Sequence, residues 1–146
     1  MFRIMFVSTS IISWNHIHPV LVHFSTALVP ASLASDVLGK YLNRSSLTAA
    51  AWWMALYGAV ATPVTAFAGL MWSGQFPASA SQQMPGLSAH MWLGFALIFL
   101  FGAMALWRAK TFTISQKPGN TYLVFGALVV AALMYQGFLG GQMTIG

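Results

Sequence analysis

Apolar residues run through this chain in four long blocks, with neither the strict alternation of a half-buried strand nor the broad polar face of a surface helix. The blocks cover about residues 19–39, 47–72, 90–107 and 121–142. At about 1.5 Å of rise per residue, each is long enough to cross roughly 30 Å of hydrocarbon. The pattern predicts an all-α protein, a four-helix transmembrane bundle forming a single domain over residues 1–146. Within the second block Ala51, Ala55, Gly58, Thr62, Thr65 and Gly69 recur at alternating steps of four and three, which predicts a shallow seam for close helix packing. The opposite face, with Trp53, Leu56, Tyr57, Val60, Val64 and Phe67, is then left to lipid or to a partner subunit. Pro30 and Pro63 fall within the first two blocks, where each removes a backbone hydrogen bond and is expected to kink its helix.

Composition agrees with a bilayer setting. Hydrophobic residues make up 58% of the 146 and charged residues 5%, with a mean hydropathy of +0.74; a water-soluble domain this apolar would precipitate. The net charge of +5 comes from basic residues next to apolar runs, which suits anionic headgroups and gives no reason to expect a nucleic-acid partner. Lys40 and Arg44 fall in the first connection and Arg108, Lys110 and Lys117 in the third, while the stretch from Ser73 to Ala89 carries no charge. The positive-inside rule therefore predicts both termini on the outer, periplasmic side of a bacterial inner membrane, with Arg3 alone opposing it. The first thirteen residues read as an interfacial segment leading to Trp14 and not as a cleaved signal peptide. Trp14, Tyr41, Trp72, Trp92, Trp107 and Tyr122 fall at block ends, as an aromatic belt requires.

Few groups remain that could do chemistry. The chain has four histidines, one acidic residue (Asp36) and no cysteine, so disulfides, thiolate metal sites and thioether-linked haem are excluded. His16, His18 and His23 open the first block and His90 opens the third, all at the predicted outer end. With Pro19 at the first helical position, His18 becomes the cap and His23 lies one turn inside; Ser88 is the expected cap that sets His90 at similar depth. His23 and His90 on separate helices are then the expected axial pair of a b-type haem, with Ala27 and Gly94 one turn below leaving room for the ring. His18 is a further candidate, as a ligand or as a hydrogen-bond donor to a quinone or a haem propionate. The competing reading is an interhelical hydrogen bond from His23 to Thr62, Thr65 or a carbonyl. Asp36 is expected to pair with Lys40 one turn on, or with Arg44, and no ladder of protonatable groups joins it to the histidines.

The runs His18-Pro19-Val20-Leu21-Val22-His23-Phe24, Ala34-Ser35-Asp36-Val37-Leu38-Gly39, Gly69-Leu70-Met71-Trp72, Ala89-His90 and Gly140-Gly141 resemble a family of uncharacterised bacterial four-helix membrane proteins. Its members open with His-Pro-x-x-x-His-Phe-Pro, and the resemblance covers nearly the whole chain. It implies a small haem-binding or redox-associated membrane module near cytochrome-like partners. Two departures stand out: Phe24 is followed by Ser25 where the family has Pro, and no histidine follows Gly140-Gly141. His18, His23 and His90 are then the available ligands, enough for one haem.

One site at the outer end can exchange electrons only with partners on that side, such as a quinol or a periplasmic redox protein, which predicts a subunit of a larger complex. A cofactor-free accessory or anchoring subunit is the alternative, and copper handling by His16, His18, Met84, Met91 and Met143 is a third. Chlorophyll on His23 or His90 stays open as well. No nucleophile with an adjacent base, carboxylate pair or phosphate-binding glycine loop is present, so any redox activity would belong to a bound cofactor.

Overall fold

A computed structural model describes residues 14–73, 86–112 and 117–145, and all four expected spans are helices in it. They are α1 (Trp14–Tyr41), α2 (Ser45–Ser73), α3 (Leu87–Phe112) and α4 (Asn120–Ile145), each extending beyond its apolar block at both ends. Every one contains a stretch long and apolar enough to cross a membrane. The segment before Trp14 and the residues between α2 and α3, where the interfacial leader, Arg3 and Met84 fall, lie outside the described residues.

The helices form a ring. Among the described residues α1 packs most extensively on α2, α2 on α3, α3 on α4 and α4 back on α1, so α1 and α3 stand diagonally opposite, as do α2 and α4. Large apolar side chains point outward, with Phe99 77% and Leu106 69% exposed; these exposures suit acyl chains and would be a liability in water. On α2 the small-residue seam is turned inward and Trp53, Tyr57, Val60, Val64 and Phe67 are turned out. A Cβ on Gly58 would come within 2.9 Å of Val29 Cγ2, so glycine there permits the close approach of α1 and α2. Ser32 Oγ–H adds a hydrogen bond to Ala51 O across the same seam at 2.8 Å, in surroundings where no water competes for it.

The two hairpins repeat one plan. On α1 the buried stripe is Ser25, Val29, Ser32 and Asp36; on α3 it is Leu97, Phe101, Met104 and Arg108, each 72 positions later, the separation of the Asp36–Arg108 pair itself. On α2 it is Ala51, Ala55, Gly58 and Thr62, and on α4 the counterparts are Tyr122, Gly126, Val129 and Leu133, one position closer in register. With both hairpins running in the same sense and the diagonals formed by equivalent helices, the repeat has a pseudo-twofold axis along the bundle. The first hairpin fills the plan largely with small and hydroxyl residues and gives the apolar core Val29, whereas the second supplies Leu97, Phe101, Met104, Tyr122, Val129 and Leu133.

Near the basic end the axis is occupied by an ion pair. Arg108 Nε donates to both carboxylate oxygens of Asp36 at 3.0 Å, and Nη2 lies 2.9 Å from Oδ1, with both side chains essentially inaccessible. Nη2 also donates to Thr48 O on α2 at 3.0 Å and Nη1 to Thr111 Oγ1 at 3.1 Å. The Tyr122 hydroxyl from α4 is buried beside the carboxylate without a hydrogen bond of normal geometry. All four helices meet at this group. The expected pairing of Asp36 with Lys40 or Arg44 does not form: Lys40 Nζ donates to Asn120 Oδ1 at 2.5 Å, and Arg44 is exposed. Arg108 belongs to α3 and not to a loop, and Tyr122 is an interior residue where an aromatic-belt position was expected, while Tyr41 and Trp92 do lie on the outer surface.

Removing one partner leaves an uncompensated charge in the interior. Asp36→Ala or Arg108→Ala is expected to cost about 3–5 kcal/mol, and the double Asp36→Leu, Arg108→Met variant less than either single change. Denaturant unfolding in detergent micelles measures both.

Candidate functional site

The opposite end of the axis carries the imidazoles. His18 lies 18 residues before Asp36 on α1 and His90 the same distance before Arg108 on α3, so at about 1.5 Å per residue the histidine and ion-pair ends stand about 27 Å apart, nearly a bilayer core. His18 Nδ1–H donates to Thr65 O on α2 at 2.9 Å, and His90 Nδ1–H donates to Gln136 O on α4 at 3.2 Å. These bonds span 47 and 46 residues respectively, so they are the same contact made once in each hairpin.

A glycine one turn beyond each accepting carbonyl makes the contact possible. A Cβ on Gly69 would stand 2.9 Å from His18 Cε1, and one on Gly140 would stand 3.1 Å from His90 Cε1. The Cε1 edge of each ring thus lies against bare backbone of the neighbouring helix. Only a protonated nitrogen can bond a carbonyl, so both rings carry the Nδ1 proton and, when neutral, the lone pair on Nε2. His90 Nε2 accepts from Gln136 Nε2–H at 3.3 Å.

His23 has a different environment from the one expected of it. It is exposed, and its Nδ1–H bonds Pro19 O of its own helix at 2.5 Å. At about 100° per residue, five positions separate His18 and His23 by about 140° around α1, so only one of them can face the axis. His18 wins because it is in phase with Ser25, Ser32 and Asp36. The expected opposition of His23 and His90 is therefore replaced by that of His18 and His90. Pro19 is interior to α1 and not its first residue, so His18 is a helical residue and not a cap. Ala27 is exposed, and the space at Gly94 is taken by the Gln136 side chain, 3.2 Å from where a Cβ would be, so these two residues do not form the expected slot. The His23 alternative, a bond to Thr62 or Thr65, is also not made: Thr62 Oγ1–H bonds Gly58 O and Thr65 Oγ1–H bonds Ala61 O, both within α2.

Gln136 and Gly69 were not singled out from sequence as parts of a site, and Thr65 was named only as a partner for His23, whereas its carbonyl takes His18. The signal was present for Gln136, the one polar residue deep in an otherwise apolar span. Among the described residues no three of His, Cys, Asp and Glu converge as a metal site. The side chain of His16, and Met84, both named for copper, lie outside the described residues. What the site offers is two imidazoles on diagonal helices, each held by a backbone carbonyl of a neighbouring helix.

The fold and its paired imidazoles define a multi-pass, four-helix membrane protein with a polar group at each end of its axis. The chain belongs to the family described as predicted membrane protein (DUF2231), whose model matches residues 15–146. No curated protein and no solved structure matches it.

The glycine cradles give a direct test. Gly69→Val is expected to push His18 off Thr65 O, moving its Nδ1 resonance in ¹⁵N-histidine NMR while leaving His23 unchanged. Gly102→Ala, facing open space, is expected to move neither.

Proposed function

We propose that the chain is a small b-type cytochrome-like subunit, holding one haem near the histidine end between His18 and His90. The observation that carries this reading is the matched anchoring of the two rings, Nδ1–H to Thr65 O and to Gln136 O. Ligating histidines characteristically donate their second ring nitrogen to a carbonyl or carboxylate, which fixes the ring and raises its basicity. The donor set suits a haem, whose iron takes two axial imidazoles, better than copper, which would call on more ligands than this pair supplies. When bound, haem supplies a one-electron iron couple; the protein's own contribution is ligand orientation and a low-dielectric setting.

All four histidines precede the middle of α3, so the basic end has no imidazole for a second haem. Electron exchange is then confined to partners at the histidine end, a quinol or another membrane or periplasmic redox subunit. Lys40, Arg44, Lys110 and Lys117 still gather at the other end with Arg108 internal, which favours a cytoplasmic basic end in a bacterial inner membrane and outer termini. The exposed Trp53–Tyr57 stack on α2, 6.0 Å between centroids, supports a second reading as a cofactor-free anchoring subunit that docks through this face.

A dithionite-reduced minus oxidised spectrum of detergent-purified protein tests the haem. A sharp b-type band is expected in the wild type and in His23→Ala, and its loss in His18→Ala and His90→Ala. A featureless spectrum, or a band indifferent to those two changes, overturns the reading in favour of the anchoring subunit. For orientation, single cysteines at Ser46 and Gln83 are expected to react with an impermeant thiol reagent from the cytoplasmic and the periplasmic side respectively.

A further inference from the structure

The two halves of the histidine site match in imidazole, carbonyl and glycine, and differ in the side chain of the residue that offers the carbonyl. In the first hairpin this is Thr65, whose hydroxyl is taken up by Ala61 O of its own helix at 2.9 Å. In the second it is Gln136, whose side chain turns back onto His90. Its Nε2–H reaches His90 Nε2 at 3.3 Å, at the long end of a hydrogen bond, while its Oε1 is buried with no partner. The amide nitrogen is the half that faces the ring, because a neutral His90 spends its one N–H on Gln136 O and leaves Nε2 as an acceptor.

A buried amide satisfied by one weak bond is held loosely, because the unpaired half costs free energy that any better arrangement recovers. Its one bond is made to the ring nitrogen that a metal would need. We propose that Gln136 is a latch on His90: in the ligand-free protein its amide caps Nε2, and an incoming haem iron must displace it to reach the ring. The latch rests on the haem reading for its ligand, but its geometry is a property of the protein alone. The Thr65 side chain of the first hairpin makes no such bond, since its hydroxyl is given to Ala61 O.

Haem titration of the apoprotein in detergent tests the latch with Gln136→Leu, which removes the amide, and Gln136→Thr, which copies the first hairpin. Losing a competing bond of about 1 kcal/mol is expected to tighten haem binding about fivefold in both. In the apoprotein, ¹⁵N-histidine NMR is expected to show His90 Nε2 moving to the value of an unbonded lone pair in both variants, with Nδ1 still protonated against Gln136 O or its replacement's carbonyl. Equal or weaker haem binding, or an unmoved Nε2 resonance, overturns the latch. If wild type and variants alike bind no haem, the haem reading is lost, and the NMR result alone upholds or overturns the latch.

Discussion

A carboxylate and a guanidinium buried in the same membrane interior must find each other, and that requirement organises this bundle. Asp36 and Arg108 sit on diagonally opposed helices, and the long reach of the arginine side chain joins them across the axis. Neither charge could be left alone in hydrocarbon at tolerable cost. The remaining guanidinium donors then bind Thr48 O and Thr111 Oγ1, which ties α2 and fixes the local turn of α3. With α4 contributing buried Tyr122 to the same group, the depth and rotation of all four helices are set at one end. Because the stripe on each helix continues from there at steps of three and four, that rotation also sets which side chains reach the axis at the far end.

The internal repeat explains why one chain carries both hairpins. Two identical hairpins in a symmetric dimer would place aspartate against aspartate or arginine against arginine on the axis, since the same residue comes from both sides of a twofold. A tandem chain can put an acid in one copy and a base in the other, and Asp36 and Arg108 occupy equivalent positions. At the histidine end the same residue type is kept in both copies, and each makes the same contact with its neighbouring helix. The two ends of one axis thus follow opposite rules: charge complementarity where four helices are locked together, and chemical identity where His18 and His90 each bond a carbonyl of a neighbouring helix.

Much of this was legible in the residues themselves. Four apolar runs specify four helices, because backbone groups in hydrocarbon have no other donors and acceptors than their own. The small-residue seam from Ala51 to Gly69 specified the packed face of α2, because a glycine or alanine stripe in lipid has no use except close approach. His18 could have been preferred over His23 by noticing that it keeps phase with Ser25, Ser32 and Asp36, the polar residues that an apolar helix must turn inward. The local rule that pairs Asp36 with Lys40 one turn on failed for a related reason. At the end of a span Lys40 can bend toward Asn120 and the headgroups, whereas Arg108 is confined to the interior and has stronger need of the anion.

The amino-acid sequence by itself determined the class, the number of spans, the inward seam and the short set of residues able to do chemistry, since each follows from the cost of polar groups in an apolar medium. Only the tertiary structure decided which imidazoles turn inward, that their partners are the carbonyls of Thr65 and Gln136, and that an acid and a base 72 residues apart share the axis. Those contacts depend on how four helices are rotated against one another. That rotation comes from the packing of all the stripes together and is written in no single segment.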